Sequence, residues 1–196
     1  MTPQRETIRA DEIPKIIFAA REPADVLAML AGMEPSWVFL LGGSASEVLG
    51  ASKLLSDRGF SVFVHVDMLR GISNDSEGMR LLASFGHPKG IITTHPSAVN
   101  AAKKLGLLAI ERIFLLDSLS VESGLRNVLR TKPDAVEVLP GVLPEQITKV
   151  ADSIDVPLIA GGLITHLDQV TAALKAGARG VSTSSGSLVA GAEELR

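Results

Sequence analysis

Along the chain, short runs rich in β-branched residues, Leu or Ala end in polar or glycine positions. Each then gives way to a stretch whose apolar residues recur at helical spacing. The runs are Ile16–Ala20, Trp37–Leu41, Val62–Val66, Gly90–Thr93, Leu108–Ile113, Ala135–Leu139, Leu158–Ala160 and Gly180–Ser184. Between them, Ile147, Val150, Ala151 and Ile154 form one helical stripe, and Leu167, Val170 and Leu174 form another. The punctuation agrees. Gly32, Gly59, Gly106 and Gly177 are predicted to close helices with positive φ. Ser44 with Glu47 and Thr165 with Asp168 have capping-box spacing, and Pro96 and Pro144 suit a first helical turn. Eight strand–helix units with no linker, charge block or low-complexity break predict one α/β domain over residues 1–196, a compact (β/α)8 TIM-type barrel, with 1–12 as a short N-terminal extension. The competitor is a doubly wound open sheet. The Gly-rich turn that such a sheet carries after its first strand is here Ala20-Arg21-Glu22-Pro23.

Composition narrows the task by exclusion. At 196 residues the chain is long enough for one sizeable core, and 46% hydrophobic residues rule out disorder. No apolar run is long enough to span a bilayer. The absence of Cys excludes a disulfide framework, thiolate catalysis and Cys-based zinc sites. With no sign of an oxidising compartment, the chain is read as cytoplasmic. A net charge of -3 argues against a surface covered with nucleic-acid-binding charge, and 4% aromatics with no Tyr argue against base-stacking platforms.

Ligands of such a barrel sit at the C-terminal ends of its strands. The seventh run leads into Gly161-Gly162-Leu163, and the eighth ends in Ser182-Thr183-Ser184-Ser185. Glycines let backbone approach an anion, and hydroxyls and helix-start amides donate to it, so Gly161, Gly162, Ser184 and Ser185 read as a phosphate cradle. Alternation along the third run sends Phe63, His65 and Asp67 inward; on the sixth it sends Ala135, Glu137 and Leu139 inward. His65, Asp67 and Glu137 suit a hydroxyl-bearing ligand, a divalent metal less well, or an internal hydrogen-bonded network that only braces the barrel. Arg21 ends the first run and is a candidate second clamp on an anion. Arg112, near the end of the fifth, is another, although alternation with Leu108 and Ile110 sends it outward unless the strand has already ended. No Lys stands where a Schiff-base aldolase needs one, and no nucleophile elbow, Walker sequence or His-Glu-x-x-His occurs. No cofactor or metal is expected.

Charge is uneven along the chain. Lys103, Lys104, Arg112, Arg126, Arg130 and Lys132 face Glu111, Asp117 and Glu122 in one window of +3, which leaves -6 elsewhere. Lys103, Lys104, Arg126, Arg130 and Lys132 form the one polyanion footprint in the sequence, with Arg126 and Arg130 on one helix face; a solvated face explains it equally well.

These residues resemble the glycerol-3-phosphate-responsive antiterminator family. The resemblance rests on Phe63-Val64-His65-Val66-Asp67-Met68-Leu69-Arg70-Gly71-Ile72, Gly90-Ile91-Ile92-Thr93-Thr94, Ala109-Ile110-Glu111-Arg112-Ile113-Phe114-Leu115-Leu116-Asp117-Ser118 and Pro133-Asp134-Ala135-Val136-Glu137-Val138-Leu139-Pro140-Gly141. Ile159-Ala160-Gly161-Gly162-Leu163-Ile164, Lys175-Ala176-Gly177-Ala178 and Ser182-Thr183-Ser184 follow in family order. The chain departs at His95, where the family often carries a basic residue, and in the loose match of Gly42-Gly43-Ser44-Ala45. What the resemblance implies is a non-catalytic sensor. It would bind glycerol 3-phosphate in the barrel and, once loaded, act on the leader mRNA of glycerol-utilisation genes to prevent termination. The phosphate would rest on Gly161, Gly162, Ser184 and Ser185, and the glycerol hydroxyls would meet His65, Asp67, Arg112 or Glu137. Two other readings remain open: an isomerase, lyase or transferase of small phosphorylated metabolites using Glu137 or His65 as acid/base, and a scaffold or homo-oligomer built on the outer helices.

Overall fold

A computed structural model describes residues 6–30 and 32–191. Eight parallel strands form a closed barrel: β1 (Ile16–Ala20), β2 (Trp37–Leu40), β3 (Ser61–His65), β4 (Gly90–Thr93), β5 (Leu108–Phe114), β6 (Ala135–Leu139), β7 (Leu158–Gly161) and β8 (Gly180–Thr183). β1 pairs with both β2 and β8, which completes the ring and excludes the open sheet. The return helices are α1 (Pro23–Met29), α2 (Ala45–Asp57), α3 (Ser76–Gly86), α4 (Pro96–Lys104), α5 (Ser118–Thr131), α6 (Pro144–Ala151), α7 (Leu167–Lys175) and α8 (Gly186–Ala190). A short parallel ribbon, Gly43–Ser44 with Leu69–Arg70, ties together the loops after β2 and β3. Among the described residues no helix is long and apolar enough to cross a membrane.

The local signals act where the sequence places them. Gly32, Gly59, Gly106 and Gly177 all have positive φ just beyond helix ends. Pro23, Pro96 and Pro144 open α1, α4 and α6, where the missing N–H has no helical partner to lose. Ser44 caps α2, and its own amide donates to the Glu47 carboxylate at 2.8 Å. The second capping box sits one residue later than its expected Thr165–Asp168 position. His166 is the N-cap of α7, and the side-chain oxygen of Gln169 accepts from the amides of Thr165 and His166 at 2.8 and 3.1 Å.

Two apolar layers follow from a sheet covered on both faces. Val38, Val62, Val64, Val136 and Val138 pack outward against the helices. Ile17, Phe39, Phe63, Ile92, Leu108, Ile110, Ala135 and Ile159 fill the barrel. Phe63 lies 4.6 Å from Trp37 and 5.8 Å from Phe39, ring centre to ring centre. Gly90 makes room for it, since a Cβ there would collide with the Phe63 ring and the Leu108 carbonyl. The segment ahead of β1 closes the lower, N-terminal end of the barrel, with Ile8 and Ile13 buried in the same interior cluster. Residues 1–5 of the expected N-terminal extension lie outside the described residues.

Candidate functional site

At the opposite end, the C-terminal ends of β1 and β5–β8 surround a cavity of about 300 Å³. Arg21, Arg112, Glu137, Gly162, Ser182 and Ser184 line it, together with Leu139 and the turn 163–165. Its floor is a buried ion pair. Arg112 donates through Nε to Glu137 Oε2 at 2.8 Å, Arg112 Nη2 lies 2.7 Å from the same oxygen, and Ser182 Oγ donates to Oε1 at 2.6 Å. β5 and β6 hold Arg112 and Glu137 directly opposite each other in the ladder. Arg112 thus points into the barrel, contrary to the outward orientation expected from Leu108 and Ile110. Those two residues themselves face the interior, so the parity that joins them to Arg112 carries all three inward. Outward-facing Glu111 is also buried; Thr131 Oγ1 donates to it at 2.5 Å, and desolvation raises its carboxyl above the usual range.

One wall of the cavity is the turn after β7. Gly162 and Leu163 have φ of 78° and 63°, two successive left-handed residues, and Leu163 is an uncommon residue for that region. Among the described residues, the amides of Gly162, Leu163 and Ile164 find no acceptor. Gly141, after β6, braces this turn by donating to the Gly161 and Gly162 carbonyls. Gly161 itself ends β7 as an interior position, where a Cβ would collide with Ser182 Oγ and Glu137. It leaves space for the ion-pair network instead of lining the cavity. Ser184 lines the cavity but Ser185 does not: Ser185 donates its amide to Thr183 Oγ1 at 3.0 Å and places its hydroxyl 3.0 Å from that of Ser187. Thr183 in turn donates to the Ile164 carbonyl at 2.7 Å, locking the β7 and β8 turns together. Ser182 and Thr183 are working residues that the choice of Ser184 and Ser185 passed over; Ser182 shares the parity of Ser184, a signal already present in the sequence.

His65 and Asp67 stand on the β3–β4 side, outside the cavity lining. β3 ends at His65, so Asp67 sits in a 3-10 turn (Val66–Met68) and not at an inward strand position. Its carboxylate accepts from Thr93 Oγ1 at 2.6 Å, Thr94 N at 2.7 Å and Thr94 Oγ1 at 2.8 Å, and these bonds hold its pKa below the usual range despite burial. His65 is buried with neither ring nitrogen hydrogen-bonded, and Nε2 is 3.9 Å from Asp67 Oδ2. Desolvation, reinforced by the nearby Arg112 charge, lowers its pKa to about 4, so the ring is neutral. Among the described residues no cluster of three His, Asp or Glu side chains is arranged to hold a metal. Arg21 is exposed at the rim and makes no ion pair among the described residues. With Arg112 and Glu137 cancelling, it leaves the cavity side of the mouth positive.

The basic window lies elsewhere. Each helix runs from the mouth to the lower end of the barrel, so Lys103 and Lys104 at the end of α4 sit at the lower end, with Arg130 and Lys132 at the end of α5. Lys103 donates to the carbonyls of Thr131 and Lys132, so its charge anchors the end of α5. Arg126 is 3.7 Å from Glu122, and Arg130 donates to Asn127 at 3.0 Å, both on the exposed face of α5.

Residues 16–189 match the family model for the glycerol-3-phosphate responsive antiterminator. The crystal structure of a glycerol uptake operon antiterminator regulatory protein from Listeria monocytogenes superposes with a TM-score of 0.82 at 33% identity, covering 87% of this chain and 91% of that one. A glycerol uptake operon antiterminator-related protein from Thermotoga maritima gives 0.79 at 34% identity, covering 90% and 98%. The uncharacterized protein YgcP of Escherichia coli K12 is 32% identical over 168 residues, 86% of this chain and 87% of its own length. With a matched region that runs from the first barrel strand to the last helix, the chain belongs to the glycerol-3-phosphate responsive antiterminator family.

Proposed function

We propose that the barrel is a sensor: glycerol 3-phosphate binds at its mouth, and the loaded protein acts on leader mRNA of glycerol-utilisation genes to prevent termination. The observation that carries this reading is the concentration of unpartnered amides at Gly162–Ile164, the Ser184 hydroxyl and the Arg21 guanidinium around one cavity. Such a set matches the three acceptor oxygens and double charge of a phosphate monoester. The glycerol end then lies over Arg112, Glu137 and Ser182, with His65 and Asp67 beyond. The RNA contact falls on Lys104, Arg126, Arg130 and Lys132, with Lys103 holding their helix ends in place. An enzymatic role has weaker support, because Glu137, the natural base, has one oxygen engaged by Arg112 and the other by Ser182.

Melting scans across triose and glycerol phosphates test the trigger: glycerol 3-phosphate raises Tm, and no shift removes the reading. Exchanging Arg126 and Arg130 together for Glu tests the RNA step. Leader affinity falls, and the salt slope shrinks by about 2, one per lost phosphate contact, while glycerol 3-phosphate affinity stays unchanged.

A further inference from the structure

The mouth cavity has two electrically different ends. Three of the residues lining it are charged: Arg21 at the rim, and Arg112 with Glu137 on the floor. The rim is therefore positive and the floor neutral. Glu137 is 0% exposed and lies 2.7 Å from Arg112 Nη2, so the floor's two charges cancel at contact distance. Glu137 also has little room to withdraw. The ladder holds it opposite Arg112, and a Cβ on Gly161 would already stand 2.7 Å from its Oε1.

What the floor still offers is one donor group and one acceptor. Arg112 uses Nε and Nη2 on Glu137, and among the described residues its Nη1 has no partner. Ser182 has given its hydroxyl hydrogen to Glu137 Oε1, so its oxygen can only accept. An alcohol satisfies both at once, accepting from Nη1 and donating to Ser182 Oγ. A carboxylate has no hydrogen to donate. It would face the lone pairs of Ser182 and the charge of Glu137, and with the pull of Arg112 already offset its desolvation would be uncompensated. We infer that Glu137 is the specificity-determining residue of this site: by cancelling Arg112 it restricts the ligand to phosphate esters whose far end is uncharged, and turns away those that end in a carboxylate. The inference rests on the sensor reading and widens its ligand from one compound to a chemical class.

Calorimetric titration of the full chain with three ligands tests it. Racemic 3-phosphoglycerate differs from racemic glycerol 3-phosphate only in carrying a carboxylate in place of the terminal carbinol, and its primary amide has the same shape without the charge. The native chain binds glycerol 3-phosphate and the amide within about tenfold of each other, and the acid at least about 100-fold more weakly. Glu137→Gln reverses the order. It uncovers the charge of Arg112, so glycerol 3-phosphate is lost while 3-phosphoglycerate binds, supplies the missing countercharge and raises the variant's Tm. A pair that only braces the barrel predicts a loss of stability that the acid does not repair. Where Glu137→Gln fails to fold, acid against amide on the native chain decides alone. Native affinity for the acid within about tenfold of that for glycerol 3-phosphate, exclusion of acid and amide alike, or a folded Glu137→Gln chain that still refuses the acid overturns the inference and leaves the sensor reading standing. A native chain that does not bind glycerol 3-phosphate removes both.

Discussion

The two ends of the barrel solve opposite problems with the same strands. At the lower end the interior is apolar: Trp37, Phe63 and Leu108 pack with Ile8 and Ile13 in one cluster. At the mouth the same inward faces, two residues further along β3, β5, β6 and β8, carry His65, Arg112, Glu137 and Ser182. Backbone turns left-handed at Gly162 and Leu163, and one imidazole is left without a partner. The lower end is held by apolar packing alone, while the mouth holds charge, strain and unused donors, as expected of a surface shaped for a ligand.

The largest expected break in this contrast is Glu137→Gln. It leaves Arg112 buried beside a neutral group and costs about 3–5 kcal/mol in denaturant unfolding, with ligand binding lost as well. Acid is next. His65 is neutral in the folded barrel down to about pH 4, against 6.5 when exposed, so below pH 6.5 the unfolded chain takes up a proton that the folded one refuses. Stability therefore falls between pH 6.5 and 4 by about 3 kcal/mol, and His65→Leu flattens that part of the profile. At the lower end, Ile13→Ala costs about 2–3 kcal/mol without changing glycerol 3-phosphate affinity or the acid profile. A loss of affinity there would show that the ends are not independent. Gly162→Ala is smallest in stability, about 1–2 kcal/mol because its φ is 78°, yet it abolishes binding in calorimetry if the turn amides hold the phosphate.

Much of this was legible beforehand because punctuation and period speak for single elements. Glycines with positive φ, prolines at helix starts and the Ser44–Glu47 box each act through a few neighbouring atoms, so eight strand–helix units could be counted. Orientation was harder. In a sheet buried on both faces, Leu108 and Ile110 look the same whether they face helices or interior, and alternation without polarity assigns Arg112 to the wrong side. Asp67 was misplaced for a different reason: the run of valines continues past His65 although the backbone has already turned. The Arg112–Glu137–Ser182 network, contributed by three strands, has no local signature at all. Gly161, chosen as a phosphate contact, proved to be the space that this network needs.

Gly180, at the start of the last strand, has no room for a Cβ because the Pro14 carbonyl and Ile13 stand against it. The plug beneath the barrel is therefore seated by the last strand of the ring. Ile13 is synthesised ahead of all eight strands, yet its seat is incomplete until β8 is made. An N-terminal extension pulling on that segment and a truncation of β8 would damage the same joint from opposite ends of the polypeptide.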